Sequence, residues 1–135
     1  MCELLASLCI ASVLLSGTLE QPSYQEREFV EPVVIRATCY TSYGDNARTA
    51  DGSVPEIGML AGKREYLGKS AILYEVKEDG TIGDLIGYFE FKDTGGHKGL
   101  KNGTRIDVYR ETLSDCYDWI GIYGDYVYMQ ILDAK

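Results

Sequence analysis

Five short runs of β-branched and aromatic residues, separated by polar segments that mostly carry glycine, constrain this chain more than anything else in it. They are residues 33–41 (VVIRATCYT), 70–77 (SAILYEVK), 85–91 (LIGYFEF), 105–109 (RIDVY) and 126–132 (YVYMQIL). Strict alternation in the last two sends successive side chains to opposite faces, the period of a strand with one buried side. Glu78-Asp79-Gly80 between the second and third runs predicts a hairpin. Residues 111–119 contain neither Gly nor Pro and predict a short helix. With no long amphipathic helix, the pattern is that of an all-β protein, a small β-barrel with one or two short helices spanning residues 33–135.

A chain of 135 residues, 45% apolar and 25% charged, has enough material for one hydrophobic core and one such domain. Its formal net charge of −8 excludes a general binder of the phosphate backbone, so no nucleic-acid partner is expected. Five acids against one base fall in residues 1–32, and sixteen against twelve in the rest. The body is therefore only mildly acidic, and its charge alone names no partner.

Residues 4–15 (LLASLCIASVLL) form an uncharged stretch of twelve. A bilayer-spanning helix needs about 20 residues, so no stable membrane span is expected, whereas a signal-peptide apolar region has this length. Residues 1–18 are accordingly expected to be an export segment and 19–32 a linker, leaving a secreted or wall-associated barrel; the other reading of 4–15 is a buried helix. Loss of Cys2 and Cys9 with that segment would leave Cys39 and Cys116, either as one disulfide or as two buried thiols. With no CxxC pair and His97 as the single histidine, a structural zinc site is not expected.

Two segments carry candidate chemistry. In Arg105-Ile106-Asp107-Val108-Tyr109, Ile106 and Val108 take the core, which turns Arg105, Asp107 and Tyr109 together to an exposed outer face. In Asp93-Thr94-Gly95-Gly96-His97-Lys98-Gly99, an acid at a strand end precedes a double glycine that permits a sharp turn or a close ligand approach. Each also has a plain reading, a solvated strand face and an Asp-capped turn. Asp-Thr-Gly is in addition the triplet of aspartic proteases, in which two carboxylates share a proton. Here Phe91-Lys92 precedes it and Gly96-His97-Lys98 follows, where an apolar strand is wanted before the triplet.

Taken in order, these pieces resemble the 3D (three-aspartate) domain. This double-psi β-barrel is found in secreted bacterial cell-wall proteins and in the catalytic part of membrane-bound lytic transglycosylase A. The matching residues are Arg36-Ala37-Thr38-Cys39-Tyr40, Thr49-Ala50-Asp51-Gly52 with Pro55 and Gly58, Leu67-Gly68, Asp93-Thr94-Gly95-Gly96 with Lys98-Gly99, Arg105 to Tyr109, and the final run at 127–132. The resemblance implies six strands, no cofactor, a monomer, and peptidoglycan glycan strands as the partner. It implies Asp107 as the acid/base and Asp93 as its supporting catalytic neighbour, with Thr94, Gly95, Gly96, Lys98, Arg105, Tyr109 and Tyr40 around the substrate. The implied reaction cleaves the β-1,4 bond between N-acetylmuramic acid and N-acetylglucosamine, using the sugar's own 6-hydroxyl instead of a second carboxylate and water. The alternative is an expansin-like module that holds glycan on tyrosines such as Tyr40, Tyr43, Tyr109, Tyr126 and Tyr128 without cutting it. The chain departs from the family in two places: the loop between Asp93 and Asp107, with His97 and Leu100-Lys101-Asn102-Gly103, is longer than the family's, and its first aspartate belongs in a run after Gly58, where Met59-Leu60-Ala61-Gly62-Lys63-Arg64 contains no acid. Glu65 is the nearest.

Overall fold

In a computed structural model the chain is described over residues 30–132, apart from 43 and 45. The expectations for the export segment, for Cys2 and Cys9, for residues 19–29 of the linker and for Tyr43 lie outside the described residues. Six strands close into a barrel: β1 (Val33–Tyr40), β2 (Met59–Ala61), β3 (Ser70–Val76), β4 (Ile82–Asp93), β5 (Arg105–Tyr109) and β6 (Tyr126–Leu132). Two helices accompany them, α1 (Lys98–Asn102) and α2 (Leu113–Tyr123). The all-β barrel with two short helices is thus the fold.

Around the barrel the order is β1-β5-β2-β4-β3-β6. Pairs β1·β5 and β2·β4 are parallel, and the other four are antiparallel. Exchanging β1 with β4, β2 with β5 and β3 with β6 maps this order, and the sense of every pair, onto itself. The chain is therefore two interlocked halves of three strands. β5 lies between β1 and β2, and β2 lies between β5 and β4, so neither half closes a sheet alone. This is the interlock that a double-psi barrel requires.

Four strands begin and end close to where alternation puts them, and the hairpin forms as β3·β4. β4 starts at Ile82, three residues ahead of the expected run, because pairing continues to Val76 opposite Ile82. Asp79 tightens that turn by accepting from the backbone N–H of Thr81 at 3.0 Å and from its hydroxyl at 2.6 Å. β2 carries no alternation signal. It is three consecutive buried apolar residues, covered inside by the core and flanked by strands on both sides.

Inward-facing Ile35, Ala37, Leu60, Ala71, Leu73, Phe91, Ile106, Val108, Val127 and Met129 fill the barrel. α2 contributes Trp119, which meets Phe89 edge-on at 6.1 Å between ring centres. Thr112 caps this helix, its hydroxyl accepting from Asp115 N–H at 3.1 Å. Of the two cysteine readings, the disulfide is the one found: Cys39 of β1 is bonded to Cys116 of α2, with their Cα atoms 5.4 Å apart.

That bond spans 77 residues of sequence, so on the chain-entropy account it restricts the unfolded chain by roughly 4 kcal/mol. Cys116→Ser is expected to lower the urea midpoint correspondingly, and reduction of the wild type to lower it by the same amount. Equal midpoints for the oxidised wild type and the variant would show that the bond contributes nothing.

Candidate active site

The outer faces of four neighbouring strands, β1, β5, β2 and β4, bring the candidate residues together. Pairing sets Thr38 opposite Asp107, Asp107 opposite Ala61, and Ala61 opposite Asp93. The two aspartates, 14 residues apart in sequence, therefore stand at one level with β2 between them.

Alternation in β5 directs Ile106 and Val108 inward and Arg105, Asp107 and Tyr109 outward, as expected. The expectation that this outer face is exposed is overturned. Asp107 is 9% exposed and Tyr109 6%. Tyr40 reaches across from β1 and packs edge-to-face on Tyr109, with ring centres 5.5 Å apart. Arg105 folds back along its own strand, so the face is covered by its own neighbours.

Asp107 is held on one side only. Its Oδ1 accepts from the Thr38 hydroxyl and from Arg105 Nε at 3.0 Å, while the same Nε lies 2.8 Å from Thr38 Oγ1. Among the described residues no donor reaches Oδ2. Asp93 is used on both sides. Its Oδ1 accepts the backbone N–H of Ala50 and of Thr94, each at 2.9 Å, and its Oδ2 accepts the Tyr40 hydroxyl at 3.1 Å. Burial first, and then the Asp93 carboxylate, push the Tyr40 hydroxyl far above its ordinary range. Tyr40 therefore remains a protonated donor at any physiological pH. Both Asp93 oxygens thus accept from this chain's own donors.

Through Ala50, Asp93 fastens the Thr49-Ala50-Asp51-Gly52 turn over the site. Inside that turn Asp51 Oδ1 accepts the Thr49 hydroxyl at 2.6 Å and Ser53 N–H at 2.9 Å, and Asp51 N–H donates to the Lys92 carbonyl at 3.2 Å. Hydrogen bonds from Ser53 and Thr49 hold the Asp51 carboxyl down at about 2, against an ordinary 3.8.

The remaining predicted residues divide. Thr94 and Gly95 line a hollow next to Asp93. Gly96 and Lys98 lie on the exposed turn into α1, away from the carboxylates' hydrogen bonds. His97 caps that helix, its Nδ1 accepting Gly99 N–H at 2.9 Å. Arg105, Tyr40 and Tyr109 touch the aspartates or one another, so they position the acids from below the surface. Tyr109 also meets Ser42, hydroxyl to hydroxyl, at 3.3 Å. Glu65 is not part of the site; it stands on the exposed Arg64–Tyr66 turn and pairs with Lys63 at 3.4 Å. The run Met59-Leu60-Ala61-Gly62-Lys63-Arg64, in which the resemblance led us to look for an aspartate, is buried from Met59 through Gly62. A Cβ on Gly62 would come within 2.7 Å of Phe91 Cε1, so the core underneath permits only glycine there.

Sequence reasoning did not single out Thr38 as a partner of Asp107, or Ala50 as a partner of Asp93. Thr38 stands two residues before Tyr40 and so shares its face, a signal the alternation of β1 contains. The Ala50 contact passes through a backbone N–H and leaves no trace in residue type. No cluster of His, Cys, Asp or Glu among the described residues is arranged to hold a metal ion.

Compared with protein-family models and with curated proteins, the chain matches none. Among solved structures it is similar to a variant of the E. coli lytic transglycosylase MltA in an apo form, with 16% identity and a TM-score of 0.46. The likeness covers 66% of this chain and 28% of that one, so the chain spans less than a third of that structure's length.

Two outcomes test this geometry. Asp93→Ala is expected to release the turn: hydrogen exchange at residues 49–53 should speed up by tenfold or more, the equivalent of about one lost hydrogen bond. Unchanged exchange there would remove Asp93 as the tie. A carboxyl with a lowered folded value stabilises above its unfolded value and loses that contribution as pH falls through the folded one. Asp51→Asn should therefore lower the urea midpoint at neutral pH, and the gap should close as pH falls from about 4 to about 2. A gap independent of pH would remove Asp51 as the charged latch.

Proposed function

We propose that this chain cleaves peptidoglycan glycan strands in the manner of a lytic transglycosylase, with Asp107 as a single acid/base. The reading draws on the ordered motif set from Arg36 to Tyr109. One observation carries it: Asp107 is a nearly buried carboxylate with one oxygen anchored by two donors and the other left open.

That asymmetry assigns the atoms. Oδ1 is committed as an acceptor to Thr38 and Arg105, which leaves Oδ2 as the oxygen for the acid/base role. Oδ2–H protonates the oxygen linking N-acetylmuramic acid to N-acetylglucosamine, and the bond from that oxygen to muramic C1 breaks. The Oδ2 carboxylate then takes the proton of the muramic 6-hydroxyl as its oxygen bonds to C1. The products are a 1,6-anhydro end and a free 4-hydroxyl. No water is consumed, and Asp107 regains its proton. In the interval, Arg105 and Thr38 stabilise the anion on Oδ1 from fixed positions. Asp93 acts through Tyr40 and the 49–53 turn, which it holds in place, without touching the reacting atoms. The Cys39–Cys116 bond is compatible with the oxidising, extracytoplasmic setting this reaction needs.

The absence of an acid at Ala61 and Gly62 favours a second reading, a wall-binding module of the same barrel. The two readings separate on the soluble products of purified peptidoglycan, analysed by mass spectrometry for the wild type and Asp107→Asn. The enzyme releases anhydro-muropeptides, and Asp107→Asn lowers their yield by about 10³-fold or more, because one group serves as both acid and base. Reducing-end products would replace the mechanism by hydrolysis. No soluble product, with protein sedimenting on the sacculi, would leave the binding module.

A further inference from the structure

Beside Asp93, on the far side of β2 from the strand that carries Asp107, lies a hollow of about 280 Å³ lined by Gly62, Arg64, Thr94, Gly95 and Lys101. Its walls are set from below. Gly62 N–H donates to the Asp93 carbonyl at 3.1 Å, and Thr94 and Gly95 follow Asp93 directly in the chain. A Cβ on Gly95 would overlap the Leu100 side chain, as one on Gly62 would crowd Phe91, so both walls are bare backbone. What the hollow presents to a ligand is then the Thr94 side chain and two cations.

No acid lines it, in a chain whose net charge is −8. Arg64 and Lys101 form no ion pair among the described residues, and the acid next in sequence, Glu65, is taken by Lys63. Both cations stand on short hydrogen-bonded turns: Leu67 N–H donates to the Arg64 carbonyl at 3.1 Å, and Lys101 N–H to the His97 carbonyl at 3.1 Å. Two unpaired cations over a backbone floor suit an anion. At about 280 Å³ the hollow stands at the small end of ligand pockets, with room for a substituent of a larger ligand.

We infer that the hollow bounded by Arg64 and Lys101 receives a carboxylate carried by the bound glycan, and so selects strands with acidic substituents over neutral ones. The inference rests on the glycan-cleaving reading and adds to it what the site prefers. Both cations are exposed, so their contacts are weak singly and screened by salt; together they are expected to favour the anionic ligand by roughly 3- to 10-fold in Kd.

The probe is the disaccharide N-acetylglucosaminyl-N-acetylmuramic acid, which lacks the bond to be cut, compared with its methyl ester of the same size but no charge. In NMR titrations the wild type should bind the acid roughly 3- to 10-fold more tightly than the ester, with the preference fading at high salt. Arg64→Gln combined with Lys101→Gln should bind the two alike, and Arg64→Glu combined with Lys101→Glu should prefer the ester. Equal binding of acid and ester by the wild type, or binding of neither while strands are still cut, overturns the hollow's role and leaves the glycan reading standing. Binding of neither together with no cutting and no sedimentation on sacculi overturns both.

Discussion

A three-residue strand, β2, is the piece on which the rest of this molecule hangs. Met59–Ala61 is flanked on both sides, parallel to β4 and antiparallel to β5, so each of its neighbours belongs to the opposite half or closes against it. Its backbone N–H and C=O groups are buried, and leaving them unpaired would be costly; the interlock provides their partners. The same pairing makes the site. Because Ala61 is level with both Asp107 and Asp93, closing the barrel and assembling the two carboxylates are a single event. β4 and β5 run in opposite directions, and residues 94–104 reverse the chain between them. The close approach of Gly95 to Leu100 keeps that return compact.

Given two aspartates at one level, the chain gives them different work. Asp93 accepts three hydrogen bonds, from a turn, from its own successor and from Tyr40. A carboxylate so occupied orders the groups that donate to it. Asp107 accepts only on Oδ1 among the described residues, which fixes its orientation and leaves Oδ2 without a partner there. The low exposure of Asp107 belongs to this division. Arg105, Thr38 and Tyr40 exclude solvent from the anchored side, so the charged contact there is stronger than it would be in water.

Much of this was legible before any coordinates. Alternation located β5 and β6 to the residue, because half-buried strands of five to seven residues display their period. The ordered motifs identified Asp93, Asp107, Tyr40 and Arg105, which the barrel gathers. β2 was not legible, since three buried residues have no period to show and its role is fixed by strands 30 to 50 residues away. The exposure of the outer face of β5 was misjudged for a related reason. A period of two says which side of a strand a residue occupies, but not what lies over it, and here the cover comes from Tyr40 on a strand 69 residues earlier. Contacts made by backbone N–H groups, such as Ala50 to Asp93, leave no mark in residue type at all.

The glycine at position 62 follows from the same packing. Phe91 fills the barrel beneath Gly62, and a side chain there would displace it, so an acid at that position would require a smaller core residue. The side chains that line the hollow are those of Arg64, Lys101 and Thr94, and the local charge is positive in an otherwise acidic protein. At physiological salt, interactions between exposed charges fade over about 8 Å, so the net −8 of the whole chain does not govern what this hollow attracts. The sign of the charge that a ligand meets there is set by Arg64 and Lys101, beside a wall that Phe91 keeps free of a side chain at Gly62.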